Sequence, residues 1–109
     1  MEPLVAAIAA VRKGLAADSV VYIDRADLPE SLHTSEPFVG SGADLPFAWA
    51  RGYASAAVVL VRGDNLVRGA LCVLSHREDA YWASELTFLR SAANLLSTDL
   101  GRIEARVTP

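Results

Sequence analysis

Residues 54–75 read Ala54-Ser55-Ala56-Ala57-Val58-Val59-Leu60-Val61-Arg62, then Gly63-Asp64-Asn65, then Leu66-Val67-Arg68-Gly69-Ala70-Leu71-Cys72-Val73-Leu74-Ser75. Two apolar runs rich in β-branched residues flank a triplet with turn chemistry, which predicts a β-hairpin in the middle of a sheet. After the polar loop His76-Arg77-Glu78-Asp79 the pattern becomes helical. Leu86, Leu89, Ala93, Leu96, Leu100, Ile103 and Val107 alternate three and four apart as a heptad seam, with Phe88, Ala92 and Leu95 in a second stripe beside it. A helix over 83–107 spans ~37 Å at 1.5 Å per residue, against a radius of gyration of ~13 Å for a domain of this size. It is longer than its own domain needs.

Upstream of the hairpin, Leu4, Ile8, Val11 and Leu15 line one face of a helix running from Pro3 to about Ala17. Gly14 weakens that helix by ~1 kcal/mol unless a close neighbour needs the space. Ser19-Val20-Val21-Tyr22-Ile23-Asp24 reads as a buried strand. From Ala26 to Gly52 the text is punctuated by Pro29, Pro37, Gly40, Gly42 and Pro46. Ser31 to Val39 holds an expected edge strand, because Pro37 cannot donate to a ladder. Asp44, Pro46 and Gly52 have the layout of a short helix with its cap, early proline and closing glycine.

The chain has 109 residues, 13 acids against 10 bases and a net charge of −3. Its 52% apolar content and mean hydropathy of +0.28 exclude a disordered chain. That length allows one domain, 1–109, with 83–107 its long C-terminal helix. The longest apolar run, Leu4 to Val11, is too short for a bilayer, and the acidic balance argues against nucleic acid as a partner. Met1-Glu2-Pro3 lacks the positive start of a secretory signal and Cys72 is the only cysteine, so a cytoplasmic location is expected.

The order helix, strand, edge strand, short helix, hairpin, long helix resembles a GAF domain, a relative of the PAS fold. The resemblance rests on Gly52-Tyr53-Ala54-Ser55-Ala56, on Gly69-Ala70-Leu71-Cys72-Val73-Leu74-Ser75, and on Leu86-Thr87-Phe88-Leu89-Arg90-Ser91-Ala92-Ala93-Asn94-Leu95-Leu96. It covers about half the chain. It implies an α/β (α+β) sandwich, an antiparallel sheet with the first and last helices packed on one face. It also implies a sensory or regulatory role in bacterial-type signalling, with an output domain or partner protein. The sequence departs from the family in two places. The chain is short between Asp24 and Gly52, where the family builds the lid of a ligand pocket, and Trp82 stands where a Ser or Thr usually caps the last helix. Asp79 is expected to cap it one turn earlier, or Tyr81 and Trp82 to pin it by packing.

The search for chemistry yields no catalytic constellation, and an enzyme is not expected. Cys72 lies inside an apolar strand with no second thiol, which reads as a small buried hydrophobe rather than a redox centre. His33 and His76 stand apart, and no metal site or cofactor is expected. The scattered acids set up no acid–base pair. Phe38, Phe47, Trp49 and Tyr53, with Cys72, are the expected wall of any small-molecule pocket, on the sheet face opposite the terminal helices. Leu4, Ile8, Val11, Leu89, Leu96, Leu100 and Ile103 are the expected interface of a homodimer, in which two helices from each chain form a bundle about a two-fold axis. The alternative is a GAF domain that has lost its ligand and serves purely in dimerisation or protein interaction.

Overall fold

A computed structural model describes the backbone of residues 3–33, 37–63 and 66–107, and the side chains of residues 5–33, 37–63 and 66–97. In chain order it contains α1 (Pro3–Gly14), β1 (Ser19–Asp24), 3-10 turns at Arg25–Asp27 and Glu30–Leu32, and β2 (Phe38–Gly40). Two further 3-10 turns follow at Gly42–Asp44 and Ala48–Ala50, then β3 (Ser55–Gly63), β4 (Leu66–Ser75) and α2 (Ala83–Val107). The strands form one antiparallel sheet in the order β1-β4-β3-β2. This is the α+β architecture expected, with the hairpin at its centre. Of the hairpin turn, Asp64 and Asn65 lie outside the described residues.

The pleat divides the apolar side chains between two cores. Val20 and Tyr22 of β1, Ala57, Val59 and Val61 of β3, and Leu71 and Val73 of β4 pack with Val11 of α1 and with Leu89, Ala93 and Leu96 of α2. Val21 and Ile23, Ala56 and Val58, and Ala70, Cys72 and Leu74 point the other way, into a core closed by Leu28, Leu32, Leu45 and Ala50 from the connecting segment. Leu71, Leu74, Leu89 and Leu96 are essentially fully buried, each worth about 1.5–3 kcal/mol of transfer free energy.

Gly69 allows the strands to close up. A β-carbon there would lie 2.7 Å from Tyr22 Cζ, and the Tyr22 hydroxyl donates to the Arg68 carbonyl at 3.2 Å. Gly14 is explained the same way, since the ring of Phe88 on α2 fills the space beside it. α1 stops at Gly14 rather than Ala17. Beyond it the Ala17 N–H reaches the Arg12 carbonyl at 3.0 Å and the Ala16 N–H reaches that of Lys13 at 3.4 Å. Ala16 occupies the left-handed region at φ 49°. The helix therefore closes in a Schellman turn without its usual glycine.

The connecting segment departs most from expectation. The edge strand is confined to Phe38–Gly40, Glu30–Leu32 forms a 3-10 turn, and residues 34–36 lie outside the described residues. In place of the single short helix expected after Asp44, one 3-10 turn ends at Asp44 and a second covers Ala48–Ala50. Leu45 precedes Pro46 and is held extended, at ψ 147°, because the proline ring disfavours helical backbone in the residue before it. Asp44 ends a turn rather than starting one. Ser41 is the cap, its hydroxyl accepting from the Ala43 N–H while the Asp44 carboxylate accepts from the Ser41 N–H, each at 3.2 Å.

The start of α2 is not capped by Asp79. The Glu85 carboxylate reaches back to accept from the Trp82 N–H at 3.0 Å and from the Ser84 hydroxyl at 2.9 Å, which is the carboxylate half of a capping box. Its own backbone N–H, the Ser84 hydroxyl and the Trp82 N–H hold its carboxyl below the usual range. Tyr81 packs into the core as expected, whereas Trp82 is 65% exposed.

Candidate functional site

On the sheet face opposite the helices, Phe38, Phe47 and Tyr53 pack against the core that contains Cys72. Phe47 and Trp49 stack with ring centroids 4.7 Å apart, and Trp49 is half exposed. The fold thus brings four of the five expected pocket residues into one cluster and attaches the fifth to it through Phe47. Leu28, Leu32, Leu45 and Ala50 fill the face between them. Cys72 is fully buried between its ladder partners Val21 and Val58, and burial pushes its thiol up to about 12.

Tyr53 also stacks on His76, with centroids 4.6 Å apart. The Asp18 carboxylate accepts from the His76 N–H at 2.7 Å, and this contact holds the Asp18 carboxyl below its ordinary value. These contacts fasten the turn after β4 to the residue before β1. His33 lies elsewhere, one ring nitrogen 2.9 Å from the Leu28 carbonyl. Among the described residues no group of three or more histidine, cysteine or carboxylate side chains is placed to hold a metal.

On the helix-bearing side, the expected division of labour between the two stripes of α2 is inverted. Leu89 and Leu96, with Val11 of α1, face the sheet and are fully buried within the chain, so they are not surface residues awaiting a partner. Ile8 is half buried. Leu4, Leu100 and Ile103 lie outside the residues whose side chains are described. The exposed apolar surface is instead Phe88 at 42%, Leu95 at 69% and Val5 at 51%. A groove of about 340 Å³ runs between the helices, lined by Ala6, Ala7, Ala10, Ala92, Phe88 and Leu95. The alanines of α1 were the available signal, because small residues leave a helix face that another helix can approach closely.

A larger cleft, of about 640 Å³, opens where the start of α2 leaves the sheet, between Val39 and Ser41 on one side and Glu78, Asp79 and Trp82 on the other. The sequence reading did not single it out. Its floor includes Ser55, whose buried hydroxyl donates to the Arg77 carbonyl at 2.6 Å and accepts from the Ala80 N–H at 3.2 Å, holding the 77–80 loop against β3.

Comparison with solved structures settles the fold. A domain assigned to a two-component sensor histidine kinase from Sinorhizobium meliloti superposes with a TM-score of 0.74 at 16% identity, over 95% of this chain and 92% of that one. The GAF domain of a two-component sensor histidine kinase from Bacillus halodurans gives 0.72 at 13% identity, over 99% and 100%. The fold is that of a GAF domain. A second structure named as a GAF domain, GAF3 of a Synechocystis protein in its photoproduct state, gives 0.71 at 15% identity, over 95% and 96%. No family model matches the sequence, and no curated protein does. Among the described residues of this GAF fold, no helix is long and apolar enough to cross a membrane.

Proposed function

We propose that this chain is a non-catalytic sensory or regulatory module of bacterial-type signal transduction, working in the cytoplasm as a homodimer built on its terminal helices. The observation that carries this reading is the apolar surface left on the α1–α2 pair. The exposed Phe88 and Leu95 line a groove with the small residues Ala6, Ala7, Ala10 and Ala92, and soluble monomers rarely leave contiguous apolar patches of much size uncovered. The GAF fold adds support, because two of the similar structures come from sensor histidine kinases. A second copy seated on this groove would lay its helices beside α2, and a ligand or partner contact sensed by the sheet would then bias the pair of α2 helices. An output domain or partner protein receives that bias. Sedimentation equilibrium at micromolar concentration tests the dimer: twice 11.6 kDa is expected, and a monomer mass overturns it.

Within this role, a small molecule held at the Phe38, Phe47, Trp49, Tyr53 and Cys72 cluster is the sensing reading. One observation favours the other reading, a GAF module without ligand that serves only in dimerisation or protein interaction. Leu28, Leu32, Leu45 and Ala50 occupy the face where a ligand would sit. Native mass spectrometry of the purified protein distinguishes the two. A stoichiometric co-purifying small molecule supports sensing, and the bare protein mass supports the interaction module.

A further inference from the structure

The two margins of the sheet are finished differently. At one, β2 is three residues long and follows Pro37, which blunts the edge. At the other, β1 runs in unbroken register with β4, from Ser19 opposite Leu74 to Asp24 opposite Gly69, and among the described residues no strand lies on its outer side. An edge strand turns the N–H and C=O groups of alternate residues outward, and natural edges are protected by proline, lysine, a bulge or a covering segment. The run Val20-Val21-Tyr22-Ile23 carries none of the first three. The Tyr22 hydroxyl reaches inward to the Arg68 carbonyl, and the turn at Arg25–Asp27 packs against β4, both inboard of the edge. Val20, Val21 and Tyr22 stay half-buried, on both sheet faces.

α1 overhangs the same margin. It packs along β1, whereas α2 packs on β3. At about 100° per residue, Ala6, Ala7, Ala10 and Gly14 turn towards α2, and Val11 and Leu15 turn into the core. Val5, Ile8 and Arg12 therefore lie on the flank turned away from α2, beyond β1. Val5 is exposed, and with Ile8, Ala9, Arg12 and Lys13 it lines a shallow recess of about 690 Å³ along that flank. Four residues, 15–18, join α1 to β1, so the two elements run antiparallel, with Arg12 above the start of β1 and Val5 above its end. A strand added ~4.8 Å beyond β1 would lie under this flank.

We propose that this margin takes up an extended segment of a partner protein, which adds a strand to β1 and sends alternate side chains up beneath α1. The proposal goes beyond the dimer reading and rests on it in one respect. The dimer uses the other flank of α1, and a second self-pairing surface here would join dimers into open assemblies instead of a closed pair. The flank sets the chemistry of the segment. Apolar side chains match Val5 and Ile8, and an acidic one matches Arg12 and Lys13, the charged residues that line the recess, since a guanidinium offers a carboxylate two parallel N–H donors. Side chains of the alternate register meet Val21 on the opposite face.

Amide hydrogen exchange tests the free protein first. Alternate amides of residues 19–24 should exchange rapidly, and equally at every protein concentration. Protection of the whole stretch, or protection that grows with concentration, overturns the proposal, the second result in favour of another copy of this chain. Random dodecapeptides displayed on phage are then selected on the immobilised protein. Enriched sequences should alternate apolar residues and include an acidic one, and the synthetic peptide should slow exchange of the outward amides at least ten-fold. Arg12→Glu, a change at an exposed position, should weaken that peptide at least ten-fold while sedimenting with the mass of the parent, which separates this site from the dimer contact. A parent that sediments as a monomer removes the dimer reading and leaves these outcomes in force. Failure to enrich any peptide, peptides that leave residues 19–24 unprotected, or binding that folded Arg12→Glu protein retains in full overturns the proposal.

Discussion

The ring of Phe88 occupies the space that a β-carbon on Gly14 would need, with Phe88 Cε1 2.9 Å from that position. This contact joins the end of α1 to the first half of α2, and it accounts for a glycine inside a helix, where alanine is normally better by about 0.5–1 kcal/mol. Gly14→Ala should therefore bring no gain in the parent protein. In a Phe88→Ala background the same change should stabilise by about 1 kcal/mol. Urea unfolding of the four proteins gives the coupling energy, and simple additivity would show that the ring does not set the residue.

Ala16 sits at φ 49° in the turn that ends α1. A side chain in this region costs about 1 kcal/mol relative to glycine. Ala16→Gly should raise stability by about that amount, and an unchanged or lower unfolding midpoint would contradict the Schellman geometry.

Two buried groups set the behaviour at high pH. Burial raises Cys72 from its ordinary 9.0 to about 12 and Tyr81 from 10.0 to about 12. Above pH 9 the unfolded chain releases protons that the folded chain still holds, so the unfolded state binds fewer and stability falls as pH rises. The contribution is whole below pH 9 and is lost towards pH 12. Stability measured from pH 7 to 11 should decline, less steeply in Cys72→Ala and Tyr81→Phe, and the native thiol should resist a thiol reagent at pH 8 until the protein unfolds. Tyr81→Phe should also gain about 1 kcal/mol at neutral pH, because its buried hydroxyl has no hydrogen-bond partner among the described residues.

Adjacent residues on α2 should respond oppositely to a charge. Leu95 is 69% exposed and Leu96 fully buried. Leu95→Glu should leave the fold intact and shift a dimer towards monomer at micromolar concentration. Leu96→Glu should prevent folding, since an unpaired carboxylate in the core costs several kcal/mol. Circular dichroism with sedimentation equilibrium reads both, and a folded Leu96→Glu protein would mean that α2 is rotated from the orientation described.

The contrast between Leu95 and Leu96 also marks where sequence reading stops. Val58, Val59, Val73 and Leu74 announce strands by type and run length, and the three-four spacing from Leu86 onward announces α2, so hairpin and helix were legible to within a residue. Hydrophobic spacing gives the stripes of a helix but not which one meets the sheet. The stripe of Leu89, Ala93 and Leu96 and that of Phe88, Ala92 and Leu95 are similarly apolar, and tertiary packing chose between them. Between Asp24 and Gly52 the text failed for another reason. Short 3-10 turns have no repeating pattern, and their limits are set by single residues such as Ser41 and Pro46. The aromatic cluster was legible because Phe38, Phe47 and Tyr53 flank the strands they cover.

The strand order β1-β4-β3-β2 bears on how the chain is made. β1 and β2 come first in sequence, yet they lie at opposite margins and never touch, so no sheet can form from the first half of the polypeptide. As residues emerge from the ribosome in order, Val20-Val21-Tyr22-Ile23 must wait, with both edges unpaired, until Ser75 has cleared the exit tunnel and β4 can receive it. During that interval the nascent chain presents an apolar strand to any neighbour. Slowing elongation between β1 and β4 would lengthen the exposure, and a chaperone that shields residues 19–24 would protect the product more than one acting after release.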